Sequence, residues 1–469
     1  MDKIIELLKG DDPAAAVAIL TENSKDQDTI EELREEYHEN KRESRDAQIG
    51  KIQVDKSVGP EGNKKSVPAV KVPIPFQQKI VNTATAFEVG EPITLTANED
   101  NALADEVIRL WRANRMDTMM QQVIALQKSE TQCAVQFYIK ELKPTNWLNR
   151  MFGVNEKKDI KAKVLDNKTG RMTPYYDAFG DMKFFTWEFT VLDENAKAQK
   201  QVFVYDEENL YHLIDDGGFT LDSTKKHGFG KIPIVYFEQD KAEWMACAEM
   251  MDRLELSLSK LSASNDYAGH PILLLYGTVT GAPDKNEDGK SFRIPMKKDK
   301  DGKWNHGKVE FATYDQAPKA IKLELQYLEK FIYSLTSTPD LSLENLKGIG
   351  NISGVAIRLM FLDAIIKAKL NEGKNRNGIE RIINIFLAGT ITTTGTSLKE
   401  ASKNTYFTIK FNSILPDDLK STVDTLAAAV GGGFMSVKTA VEQLDVAEDA
   451  EDELAEINKK TETEPGAEE

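Results

Sequence analysis

The chain has 469 residues, 41% of them hydrophobic and 29% charged, and carries a formal net charge of −16. That length and apolar content are enough for about two to four packed domains and exclude a disordered chain. A pI near 5.1 excludes a tight duplex-DNA binder, which would carry a basic domain with a pI above about 9. Residues 1–50 read as a charged helical segment, with Asp12-Pro13 and Asp28-Thr29 as helix starts. The opening MDKIIELLKGDDP lacks the apolar core and cleavage site of a signal peptide. No apolar run reaches the roughly 18 residues that a membrane span requires. Together these place synthesis and assembly in a cytoplasm, away from membranes. Residues 51–75 read as a linker, because Pro60, Pro68, Pro73 and Pro75 with Gly59 and Gly62 disfavour regular structure.

From Phe76 to Gln127 the pattern is helical again. The period then changes to two, with Val135, Phe137 and Ile139 alternating, and later Phe185, Trp187, Phe189 and Val191. Further strands read at 201–205 and 232–237, with turn signals at Asp193-Glu194-Asn195 and Asp215-Asp216-Gly217-Gly218. Residues 76–239 are therefore an expected α+β region. A helix follows over 240–266, where Met250, Leu254, Leu258 and Leu261 share one face and Met251 widens it. An insert at 267–316 is bounded by strands at 272–276 and 309–314. A second helix, 317–337, carries Ile321, Leu325, Leu328, Ile332 and Leu335 on one stripe.

Pro339 stops that helix, and residues 338–354 read as a loop in which Gly348, Gly350 and Gly354 allow positive φ. Ser353 is the expected N-cap of an apolar helix from Val355 to Leu370, which breaks at 371–378 and resumes over 379–387. Residues 406–412 alternate as a strand able to return to the earlier sheet, completing a unit at 355–415. Residues 416–447 read as short helices around Gly431-Gly432-Gly433, and 448–469 as an acidic, disordered tail.

The sequence offers no convincing catalytic or metal site. Gly302 to Lys308 has the spacing of a phosphate-binding loop, but Val309 stands where a magnesium-holding Ser or Thr belongs, and a strand follows instead of a helix. Asp284 to Gly289 resembles half of a calcium loop, but its twelfth position is Pro295 instead of a bidentate glutamate. The five histidines are scattered without metal-ligand spacing. Ser353 is misplaced for a G-x-S-x-G elbow. Cys133 and Cys247 lie far apart in apolar surroundings and read as buried thiols of a reducing compartment. The expectation is a protein that is not an enzyme and needs no cofactor.

Two segments carry a family resemblance. One contains Thr338-Pro339-Asp340, Glu344-Asn345-Leu346, Gly350-Asn351 and Ser353-Gly354-Val355-Ala356; the other runs from Ile80 to Ile93 through Asn82 and Gly90-Glu91-Pro92. With the order of elements across about residues 75–415, they resemble the portal proteins of tailed bacteriophages. The resemblance implies an α+β portal fold: a wing over 76–239, stem helices at 240–266 and 317–337, a small α/β clip insert at 267–316 and a tunnel loop at 338–354. A long helix and return to the wing then occupy 355–415, with a helical C-terminal crown at 416–447.

The resemblance further implies a ring, expected to hold twelve subunits, at a unique capsid vertex of the virion. Such a ring packages, retains and ejects double-stranded DNA without reading its sequence. Its partners would be the terminase large subunit, head-tail connector proteins, and major capsid and scaffold proteins. The positions matching the DNA-facing tunnel loop are Leu343, Glu344, Asn345, Leu346, Lys347, Gly348, Ile349, Gly350 and Asn351, with Lys347 the only positive charge among them. The basic residues Arg293, Lys297, Lys298, Lys300, Lys303 and Lys308, with Trp304, form a patch in the insert. They would face terminase or connector if the insert is a clip. An acidic channel wall would suit passage, since repulsion keeps phosphates from adhering. The rival readings are another oligomeric virion protein, such as a scaffold or head-tail adaptor, and a nucleotide-dependent DNA translocase.

Overall fold

The computed structural model describes residues 2–10, 12–38, 56–58, 65–67, 70–142, 157–192, 196–268, 272–276, 297–298, 300–305, 308–312, 318–340, 358–394, 400–415, 419–444, 453–455 and 459. The chain opens with α1 (Asp2–Lys9), α2 (Pro13–Thr21) and α3 (Gln27–Tyr37). Asp12 caps α2 as its position before Pro13 predicts, accepting from the Ala15 amide. The cap of α3 is Asp26 instead of Asp28, because its carboxylate reaches the free amides of Asp28 and Thr29. The segment read as an irregular linker contains a short hairpin, β1 (Lys56–Val58) with β2 (Lys65–Val67).

Helices α4 (Phe76–Val89), α5 (Ala102–Ala113) and α6 (Met116–Glu130) follow, with the short strand β3 (Thr94–Ala97) between the first two. The strands β4 (Gln132–Leu142), β5 (Lys157–Leu165) and β11 (Ile234–Glu238) make a three-stranded antiparallel sheet with β4 central. Between them in sequence, β6 (Gly170–Tyr176), β7 (Met182–Leu192), β8 (Ala198–Tyr205), β9 (Asn209–Asp215) and β10 (Phe219–Lys226) form a five-stranded meander. Neighbouring residues of β7 point to opposite faces. Phe184 packs with Leu8, Val17 and Leu20 of α1 and α2. Phe185 and Trp187 pack with Ala134 and Ile234 of the three-stranded sheet. The meander is thus covered on both sides, which fits the adjacent aromatic pair Phe184 and Phe185 of β7.

A 3₁₀ turn, Met245–Cys247, leads into α7 (Ala248–Ala268), so this helix starts later than residue 240. The buried Trp244 ahead of it donates its indole N–H to Glu36. The insert contributes β12 (Ile272–Tyr276), β13 (Lys297–Lys298), β14 (Trp304–Asn305) and β15 (Lys308–Ala312), paired β12 with β15 and β13 with β14. Then come α8 (Pro318–Thr336) and α9 (Leu362–Thr394). Helices α3, α4, α7 and α8 share a core through Leu33, Ile80, Trp244, Met251, Leu254 and Ile332.

The predicted break at 371–378 does not occur: α9 is continuous through it. Two of its glycines serve close packing. A Cβ at Gly378 would lie 2.4 Å from the Phe237 ring, and one at Gly389 2.7 Å from the Phe229 ring. Beyond Gly378, Ile379, Ile382, Ile385 and Phe386 are fully buried in the largest core, where Phe386 meets Phe137 edge-on at 5.2 Å. The chain continues through α10 (Ala401–Asn404) to β16 (Phe407–Lys410). The expected return strand pairs with β3, not with the three-stranded or the five-stranded sheet, making a separate two-stranded ladder. Two helices, α11 (Leu419–Gly431) and α12 (Val437–Leu444), complete the described elements, joined by a turn in which Gly433 has φ +73°.

Candidate functional site

The nine residues of the tunnel-loop reading, 343–351, lie outside the described residues, as do Arg293 and the calcium-like motif at 284–289. What is described is the frame from which residues 341–357 are suspended. On the entering side, α8 ends in a Schellman turn: the Thr338 amide donates to the Tyr333 carbonyl at 2.9 Å and the Ser337 amide to the Ser334 carbonyl at 3.2 Å. Ser337 adopts φ +54° there, a left-handed conformation more usual for glycine. On the leaving side, Phe361 packs on Phe87 with ring centroids 5.7 Å apart, and α9 begins at Leu362.

Between these two ends sits a buried cluster of charge. Lys128 of α6 is 2% exposed. Its ammonium lies 2.8 Å from Glu88 of α4 and 3.3 Å from Glu243. Lys367 of α9 pairs with the other oxygen of Glu243 and donates to the Thr336 carbonyl at the end of α8, 2.6 Å away. Asn371 and Asn375 of α9 donate to the two Glu88 oxygens at 2.6 and 2.9 Å. Two ammonium groups and two carboxylates give a neutral set, and the asparagines supply further donors to Glu88, which makes burial tolerable. Burial pushes the Glu243 carboxyl up. Lys128 and Lys367 more than reverse this, holding it below the ordinary glutamate range.

The cluster joins α4, α6, the segment before α7, the end of α8 and the first turns of α9. Through Lys367 it ties the end of α8 to the start of α9 on either side of residues 341–357. Lys367 also satisfies a carbonyl that the end of α8 leaves without an intrahelical partner. The sequence reading missed these residues. Their signal is the spacing of Lys367, Asn371 and Asn375 by four, which puts them on one face of the helix. The same polarity was read as a helix break.

In the insert, Lys298 and Trp304 are cross-strand partners in β13–β14, and the Lys298 ammonium lies 5.1 Å from the indole centroid. Lys298, Lys300, Lys303 and Trp304 are all exposed, with Trp304 at 58% and Gly302 at φ +80° in the turn between the strands. Lys297 and Lys308 lie in β13 and β15, where only their backbone is described. Trp304–Asn305 and Lys308–Ala312 are strands, so no helix N-terminus stands behind Gly302–Lys308 to receive a phosphate. Both thiols are buried and free. Cys133 donates to the Val123 carbonyl at 3.2 Å, and burial pushes it far above its ordinary pKa.

One further feature is unusual for a surface. Leu323, Tyr327, Phe331 and Leu335 on α8, and Leu359, Met360, Leu362, Ile366 and Leu370 at the start of α9, are all at least 40% exposed. Their spacing of three and four makes apolar ridges on helices whose other faces are already packed. Among the described residues, no helix is long and apolar enough to cross a membrane.

Comparison with known proteins agrees with the resemblance read from the sequence. The chain is 21% identical over 413 residues to the portal protein of Bacillus phage SPP1, covering 82% of this chain and 75% of that protein. Among solved structures it is similar to a chain from the neck of an empty gene transfer agent particle computed with C6 symmetry, with 13% identity, TM-score 0.44, and 80% and 90% of the two chains covered. A chain from the virion of a native gene transfer agent particle gives 12% identity, TM-score 0.38, and coverage of 79% and 89%. The family model described as phage portal protein, SPP1 Gp6-like, matches residues 18–466, nearly the entire sequence, and this chain therefore belongs to that family of phage portal proteins.

Proposed function

We propose that copies of this chain form a closed ring of twelve at one vertex of a phage capsid, and that the ring's axial channel passes duplex DNA during packaging, retains it, and releases it at infection. The chain works mechanically in this reading; ATP hydrolysis belongs to a separate terminase. Residues 343–351 face the channel, with Lys347, Asn345 and Asn351 offering weak, sequence-independent contacts to phosphates. The buried charge cluster holds the base of that loop at a set angle, so that every subunit presents it at the same height. The insert, with Lys298, Lys300, Lys303 and Trp304 exposed, meets an acidic surface of terminase or a connector protein. The mature ring resides in the virion.

The observation that carries this reading, beside family membership, is the pair of exposed apolar ridges on α8 and α9. A monomer would leave both in water, whereas a ring with subunits packed around its axis covers them. Electron microscopy of the purified protein with a mass measurement tests it. The expected result is rings of about 630 kDa, twelve times the 52.5 kDa chain, with a hole wider than the roughly 20 Å duplex. A compact monomer at every concentration would overturn it.

A further inference from the structure

Helix α8 bears two apolar surfaces back to back. On one side, Leu325 and Tyr333 join Ile74, Leu254 and Leu258 in lining an open groove of about 420 Å³, with Lys79 at its edge donating to the Tyr333 hydroxyl at 2.8 Å. On the other side, Leu323, Tyr327, Phe331 and Leu335 stand 53%, 53%, 49% and 55% exposed, and the rings of Tyr327 and Phe331 stack at 6.2 Å. Residues four apart advance by about 40° around a helix, so these four make one continuous ridge about 18 Å long. The groove positions 325, 329 and 333 are centred about 180° from it. Ridge and groove are also centred on the same turn of α8, at residue 329.

That arrangement has a geometric meaning. A cyclic assembly uses two different patches of each subunit, and closes only if the contact adds rotation without rise. A projecting patch and a receiving patch at the same height on opposite sides of one helix satisfy both conditions for an axis running along α8. The ridge is apolar and carries a stacked aromatic pair, and the groove is mostly apolar, with Lys79 and Glu329 as its charged lining residues.

We propose that the Leu323–Tyr327–Phe331–Leu335 ridge of one copy seats in the Ile74–Leu254–Leu258–Leu325–Tyr333 groove of the next copy, making α8 the helix that passes the contact around the ring. The inference rests on the ring reading and names the faces that close it. Tyr327→Cys on the ridge and Leu258→Cys in the groove, made singly and together in the full chain, test it under mild oxidation. The native thiols, Cys133 and Cys247, are buried and provide a silent background.

The double variant is expected to give a ladder of disulfide-linked species extending past the dimer on a denaturing gel, while each single variant runs as a monomer. Rings in the microscope without a ladder would overturn the pairing of faces and leave the ring standing. Dimers from Tyr327→Cys alone would overturn it in favour of a two-fold contact between ridges. The absence of both rings and ladder would overturn the ring reading together with the pairing. As a second variant, Phe331→Asp is expected to shift the assembled mass to that of the monomer while the far-ultraviolet circular dichroism of the folded chain is kept; assembly unaffected by that charge would likewise overturn the pairing.

Discussion

The two halves of α9 follow opposite rules. From Ile379 onward the helix is ordinary: Ile379, Ile382, Ile385 and Phe386 are fully buried, and Gly378 and Gly389 let the backbone approach the rings of Phe237 and Phe229. From Leu362 to Asn375 the polarity is reversed. Leu362, Ile366 and Leu370 are 44%, 49% and 77% exposed, while Asn375 is 2% exposed and Lys367 lies against a buried carboxylate. One continuous helix thus packs inward through apolar contacts in one half and through charge in the other. The reversed half follows residues 341–357, and its apolar residues Leu362, Ile366 and Leu370 are exposed.

The largest effect should come from breaking the charged half. Lys128→Met leaves Glu88 and Glu243 buried without their shared ammonium, and is expected to cost about 3–5 kcal/mol, read by urea unfolding at fixed protein concentration. Breaking the apolar half is expected to cost less. Gly378→Ala improves helix propensity by about 1 kcal/mol but drives a Cβ into the pinned Phe237 ring, for a net loss of about 1–3 kcal/mol in the same assay.

A smaller change of opposite sign is expected where α8 ends. Ser337→Gly relieves a positive φ that glycine takes freely, as Gly433 does in the matching turn after α11, and should stabilise by about 1 kcal/mol. The charge cluster also predicts a pH signature. The Glu243 pKa is depressed on folding, so its contribution is present above the ordinary glutamate value near 4.5 and is lost as pH falls through the lower folded value. The stability gap between the wild type and Glu243→Gln should therefore be widest near neutral pH and close in acid, as read by parallel urea titrations. Least affected should be monomer stability in Leu370→Ser, within about 0.5 kcal/mol, because that side chain is 77% exposed. If the α9 ridge is a subunit contact, the same variant should lower the fraction of assembled protein in a mass measurement.

Much of the fold was legible because local pattern and burial agree in it. The period-two runs in β4 and β7, the stripe on α8 and the cap at Asp12 follow from residues whose neighbours in sequence are also their neighbours in the element. The failures have a common cause. Asn371 to Gly378 read as a break because polar residues and glycine weaken a free helix, yet here Glu88 and the Phe237 ring compensate from distant segments. Residues 406–412 have a strand's pattern, but nothing in that pattern names β3 as the partner.

The sequence by itself determined most of the helices and strands, those whose period is set by neighbouring residues, and it carried the two segments that resemble portal proteins. It also showed the lysines of the insert as a local patch, since charge in a short hairpin needs no distant partner to be visible. Only the tertiary structure decided that Lys128, Glu88, Glu243 and Lys367 meet, and that the apolar residues opening α9 face outward. The physical reason is range: propensity and periodicity act over a few residues, whereas burial of a charge is tolerated only when partners from several elements converge on it.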